Sequence, residues 1–167
     1  ISAEDIIGHD LYLYNRMAPT FLGRDDEYIA SPKLDDVECA FGCMEGFINA
    51  AESGSIPVCC VFDNEETGSS TKQGAASNIL RDLLRRIALN LGKSEEEYLA
   101  MVAQSFMVSA DNAHAQHPNH PEYSDGDNCP YMNKGIVIKF NANQKYTTDG
   151  VSAALFRRVC AEAGAPV

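Results

Sequence analysis

Positive charge is scarce in this sequence: 13 Lys and Arg stand against 24 Asp and Glu, a formal net charge of −11. A nucleic-acid partner requires a basic footprint on the protein, so none is expected. Also missing is any apolar run near the ~18–20 residues that cross a bilayer, which removes a membrane partner from the expectation. No secretory signal pattern is read at the start. The chain opens at Ile1 without Met and closes on Ala165-Pro166-Val167; processing, trimming and excision from something longer fit these ends equally. The six cysteines, Cys39, Cys43, Cys59, Cys60, Cys129 and Cys160, lack Cys-x-x-Cys pairs, so a structural zinc ribbon is not expected. Cys39 and Cys43 lie four apart in a helical pattern, and Cys59-Cys60 sit inside an apolar run. That placement fits small buried thiols in a reducing cytoplasm. There is no internal repeat and no low-complexity segment.

What remains is an ordinary globular composition, 45% apolar and 22% charged over 167 residues, enough for one sizeable core and one domain. Residues 6–14 alternate well enough to be a strand. Residues 17–24, with Pro19 and Gly23, read as a connector, and 27–32 as a short extended stretch leading to Pro32. Val37, Ala40, Phe41, Met44, Phe47 and Ile48 recur at helical spacing from 37 to about 51, with Gly54 as the stop. The apolar run 56–62 reads as a buried strand. Ile79, Leu83, Leu84, Ile87 and Leu91 give an amphipathic helix over 75–91, ended by Gly92. Ser94 and the acids after it open another helix to about 103. Strands follow at 105–110 and 135–141, separated by a His-rich loop and a polar segment. A last helix, capped by Thr148, carries Val151, Ala154, Leu155, Val159 and Cys160. The order predicts an α/β fold, a layered α/β/α arrangement with a mostly parallel or mixed central sheet.

In such sheets function collects just beyond strand ends. Asp35 opens a helix after an extended stretch, Glu65-Glu66 follow one strand, and Asp111 follows another. Each has a plain alternative: a helix-dipole complement for Asp35, a solvated surface pair for the two Glu. Gathered at one edge, however, the four carboxylates would repel one another unless cations compensated them. Two divalent ions ~3.5–4 Å apart, bridged by one carboxylate, make a hydrolytic site. A short Asp on a rigid corner suits the bridge. Of two adjacent Glu, one can hold a metal while its neighbour stays free to take a proton. His9 reads as structural, and His114, His117 and His120 do not by themselves define a metal site.

The motifs Ser31-Pro32-Lys33-Leu34-Asp35-Asp36, Asp63-Asn64-Glu65-Glu66-Thr67-Gly68-Ser69 and Ser109-Ala110-Asp111-Asn112-Ala113-His114-Ala115-Gln116-His117-Pro118-Asn119 resemble the aspartyl aminopeptidase family of dinuclear zinc metallopeptidases. Lys134-Gly135-Ile136-Val137-Ile138-Lys139 and Asn143-Gln144-Lys145-Tyr146 continue the likeness, which spans nearly the whole chain. The resemblance implies two divalent metal ions, zinc, with Asp35 bridging, Glu66 holding one and Asp111 the other. It implies Glu65 as the general base and places His114 and His117 near the site or facing substrate. Peptides with an N-terminal Asp or Glu are the implied substrates, and the full-length protein is implied to be a homo-oligomer. Thr67 stands where the family usually has Val, and Asp36 where Asn is common. Family members carry a terminal His ligand and an inserted oligomerisation domain upstream of the matched region, and another His ligand downstream of it. Residues 1–167 are therefore expected to be a single partial catalytic domain, inactive in isolation. A non-catalytic module of the same fold and a dinuclear hydrolase with another preference are the competing expectations.

Overall fold

Helix α1, Leu34–Ile48, starts at an irregular corner. Lys33 lies in the left-handed region at φ 63°, and Asp35 and Asp36 have non-helical backbone at φ −84°, ψ 109° and φ −124°, ψ 29°. The peptide bond between those two aspartates is cis. Regular helix therefore begins after Asp36, where the apolar spacing predicts it. It ends earlier than predicted because Asn49 closes it: its backbone N–H and its side-chain amide both donate to the Glu45 carbonyl, at 3.0 and 2.8 Å. An amide side chain bonded to the helix's own last turn competes with further turns.

The computed structural model describes all residues, 1–167, and the chain falls into two compact units, Ile1–Asp111 and Asn112–Val167. In the first unit, β1 (Thr20–Leu22) and β2 (Tyr28–Ala30) pair antiparallel with Thr20 opposite Ala30 and Leu22 opposite Tyr28. This corrects the reading of 17–24 as a connector. Gly23 at φ 103° and Asp26 at φ 56° supply the left-handed positions that a short hairpin turn requires.

Helices α2 (Ile79–Asn90) and α3 (Glu95–Ala103) form the other packed pair of this unit. Gly92, at φ 78°, ends α2: its N–H donates to the Leu89 carbonyl, and that of Lys93 donates to the Ala88 carbonyl. Such a stop needs a left-handed residue, which glycine accepts without strain. Ser94 then caps α3, accepting from the Glu97 N–H at 3.2 Å while its own N–H donates to the Glu97 carboxylate at 2.7 Å. Tyr98, 6% exposed, packs between the two helices and donates its hydroxyl to the Arg81 carbonyl at 3.1 Å. Helix α2 begins at Ile79 and not at the predicted 75, because residues 63–78 close into a loop of their own.

The second unit is built on α4, Gly150–Ala163, which buries Ala153 and Cys160. Its cap is Asp149, not the predicted Thr148: the Asp149 carboxylate accepts from the Ser152 N–H at 2.8 Å, and Ser152 returns a hydroxyl bridge to the Asp149 N–H at 2.9 Å. At the far end Gly164 sits at φ 68°, and the Pro166 carbonyl accepts from the Ile136 N–H at 2.9 Å.

Helices and strands are mixed along the chain, as the α/β class requires. The predicted strands at 6–14, 56–62, 105–110 and 135–141 are not paired, and β1–β2 is the single sheet. Apolar patterning reports the demand for burial, whereas a strand exists only when a neighbouring backbone completes its ladder. Accordingly Ile56, Val61, Met107, Val108 and Phe140 are exposed. The cysteines form no disulfide; only Cys160 is buried, and Cys43 and Cys60 are exposed, against the expectation of buried thiols. No helix is long and apolar enough to cross a membrane.

Candidate metal centre

The corner that opens α1 delivers two carboxylates, and Asp111, the last residue of the first unit, delivers a third. One ligand oxygen each from Asp35, Asp36 and Asp111 lie within 4.8 Å of one another. Residues i and i+1 of a regular helix diverge and do not face one another; the non-helical backbone at Asp35 and Asp36 removes that constraint. Loss of solvent contact, then the charges of Asp111 and Asp36, a hydrogen bond with Asp111 and the charge of Glu66, hold the Asp35 carboxyl above its usual range. Asp36 is partly buried, and its Oδ1 is covered without a hydrogen-bond partner. The Cys39 thiol, one turn into α1, is pushed up to about 12 by burial and by its hydrogen bond with the Asp36 carboxylate.

Crowded carboxylates with an unsatisfied oxygen fit a divalent cation, which replaces mutual repulsion by shared attraction. Carboxylate oxygens suit both hard ions and zinc. The donor set thus fits a metal.

Of the residues expected at the site, Asp35 and Asp111 are brought together. Glu66 acts on Asp35 through its charge but lies outside the close cluster. Glu65 and Glu66 are both exposed, side by side on the loop that follows 56–62. Asp36 joins this group without being singled out by the sequence; its one signal is adjacency to Asp35 at a corner, which alone does not separate a ligand from a bystander. His114 and His117 belong to the second unit and are exposed. His117 Nδ1 accepts from the Asn119 N–H at 3.2 Å, and its ring lies 5.3 Å from that of His120. His120 in turn stacks on Tyr123 at 5.1 Å and bonds Glu122 at 3.0 Å. In the same unit Lys139 donates to the Asn112 carbonyl at 2.7 Å, with its ammonium 5.8 Å from the Tyr146 ring centre.

Known proteins are similar to this chain in sequence and in fold. The sequence profile of the family described as "Aminopeptidase I zinc metalloprotease (M18)" matches residues 1–167. The chain is 41% identical over 167 residues to a "Probable M18 family aminopeptidase 2" of Clostridium novyi, covering all of this chain and 39% of that protein. It is 44% identical over 163 residues to the protein of the same name from Clostridium acetobutylicum, covering 98% of this chain and 38% of the relative. Among solved structures, a chain of the "Cryo-EM structure of the Ape4 and Nbr1 complex" superposes with a TM-score of 0.77 at 38% identity, over 89% of this chain and 29% of that one. The chain therefore spans well under half the length of the relatives it matches, and its α/β fold is that of part of their structures.

Proposed function

The chain belongs to the aminopeptidase I zinc metalloprotease family, M18, and from that premise we propose that residues 1–167 form the central part of a single catalytic domain that removes the N-terminal residue from peptides. In this reading two zinc ions would be held by Asp35, contributing to both, by Glu66 and by Asp111. Zinc, when bound, polarises the scissile carbonyl and lowers the pKa of a coordinated water toward about 7. Glu65 takes the proton of the attacking water and returns it to the amine as the C–N bond breaks. His114 and His117 stand behind the metal ligands or face the substrate. The substrates are peptides beginning with Asp or Glu, an assignment that rests on the family resemblance. The full-length protein is a cytoplasmic homo-oligomer, and the isolated 167-residue chain is inactive.

One observation carries this reading: Asp111 meets the Asp35–Asp36 corner across a long stretch of sequence, and the group has the charge and the unsatisfied oxygen of a cation site. The composition of that cluster favours the inactive state of the isolated chain. It is all carboxylate, whereas zinc sites are usually completed by nitrogen or sulfur.

The test uses the full-length protein with Asp-, Glu-, Lys- and Leu-anilides and a measurement of bound zinc. Glu65→Gln is expected to lower turnover by about 10²–10⁴-fold with zinc retained, whereas Glu66→Gln and Asp111→Asn lose zinc. Zinc loss on Glu65→Gln would exchange the roles of the two Glu. Cleavage of the Leu-anilide alone would overturn the acidic preference.

A further inference from the structure

The loop that carries Glu65 and Glu66 is held from within. Asp63 donates its N–H to the Gln73 carbonyl at 3.3 Å, Gly68 to Glu65 at 3.0 Å, and Ala76 to Ser69 at 3.0 Å. The Gly74 N–H donates to the Thr71 carbonyl at 3.1 Å. Across the loop, the Asn64 side-chain amide donates to the Thr71 hydroxyl at 3.2 Å, and the Thr67 hydroxyl donates to the Asn64 carbonyl at 3.3 Å. Asn64 itself stands in the left-handed region at φ 64°, immediately before the two Glu. Gly74 is the one buried residue of the loop. A Cβ there would fall inside contact distance of the Ser69 backbone carbonyl, so the two arms of the loop approach this closely only with glycine.

Glu65 and Glu66 are exposed, so packing does not orient them. Their placement comes from the backbone of the turn on which they stand. Reacting groups must be held within about 0.5 Å of their working geometry, and a shift of about 1 Å can cost about 100-fold in rate. We propose that Thr71 and Gly74 are positioning residues for the Glu65–Glu66 pair: Thr71 ties down Asn64, and Gly74 lets the loop close. The proposal rests on the assignment of Glu65 as base and Glu66 as ligand.

The experiment is steady-state kinetics of the zinc-loaded, full-length enzyme on whichever anilide it cleaves fastest. Thr71→Val keeps the volume and removes the oxygen that accepts from Asn64; Thr71→Ser keeps the oxygen. Thr71→Val is expected to lower kcat by about 10–100-fold, with KM within about twofold and zinc content unchanged, and Thr71→Ser is expected to restore most of the rate. Gly74→Ala, compared at equal folded fraction by circular dichroism, is expected to lower kcat likewise. Unchanged kcat in Thr71→Val, a loss confined to KM, or a loss that Thr71→Ser does not restore would overturn the proposal. Glu65→Gln in parallel separates the premise: normal turnover in that variant would remove Glu65 as base and the proposal with it, whereas a loss in Glu65→Gln beside unchanged kcat in Thr71→Val would overturn the positioning role alone.

Discussion

Asp36 holds an oxygen that is covered from solvent and unpartnered, beside two other carboxylates. A buried unsatisfied polar group costs about 1–3 kcal/mol, and more when charged. An arrangement that concentrates like charge and leaves an oxygen unmet makes sense when a cation completes it. Asp36→Asn keeps the shape and removes one charge. In the full-length protein it is expected to weaken zinc binding by about tenfold, measured by competition with a chelator; undiminished affinity would make Asp36 a bystander. The sequence singles out Asp35 and Asp111 because α/β sheets place function just beyond strand ends, and the fold brings these two together. It does not single out Asp36, whose place beside them depends on the irregular backbone at the corner, which no periodicity encodes. The division of labour between Glu65 and Glu66 is likewise legible as a possibility of chemistry and not as an order.

Elements separate along a different line, between what is local and what is not. The α2–α3 turn was readable because Gly92, Ser94 and Glu97 act on backbone within a few residues of themselves. The cap of α4 was misplaced by one position, since Thr148 and Asp149 are both good caps and only the observed bonds to Ser152 decide between them. That cap has a pH dependence of definite sign. Hydrogen bonds from the Ser152 backbone, then from its hydroxyl, hold the Asp149 carboxyl below its ordinary value. A carboxyl lowered in the folded state contributes stability that is present above its unfolded value, near 3.9. The contribution is lost as the pH falls through the lower folded value. Protection of the Ser152 amide against hydrogen exchange, corrected for the intrinsic rate, should therefore decline below about pH 4. In Asp149→Asn, which keeps an uncharged acceptor, the protection should stay flat over that range. A decline of equal size in both proteins would move the acid sensitivity elsewhere.

At the scale of the whole molecule the exposed surface is the dominant fact. The chain leaves 14,534 Å² accessible, where a folded protein of 18.2 kDa is expected to expose about 8,100 Å². The excess lies in part on the apolar segments 56–62, 105–110 and 135–141, whose composition asks for a sheet and whose backbones have no ladder. The apolar pattern of these segments predicts strands because it reports a demand for burial. Pairing partners are set by the rest of a fold, and the pattern does not encode whether they are at hand. The relatives are longer: this chain covers 39% of the Clostridium novyi protein. If the remaining length supplies the missing ladder, hydrogen exchange will show it segment by segment. Amides of 57–62, 106–110 and 136–140 should exchange quickly in the 167-residue chain and become strongly protected in a protein of the relatives' full length. The amides of α2 and α3 should be protected in both, because their packing, through Tyr98 and Ala88, is complete within this chain. Self-association offers a second route to burial, and light scattering distinguishes it: protection in the short chain that grows with concentration would come from a second copy. Rapid exchange of all three segments in the longer protein would mean that they are not strands of its sheet.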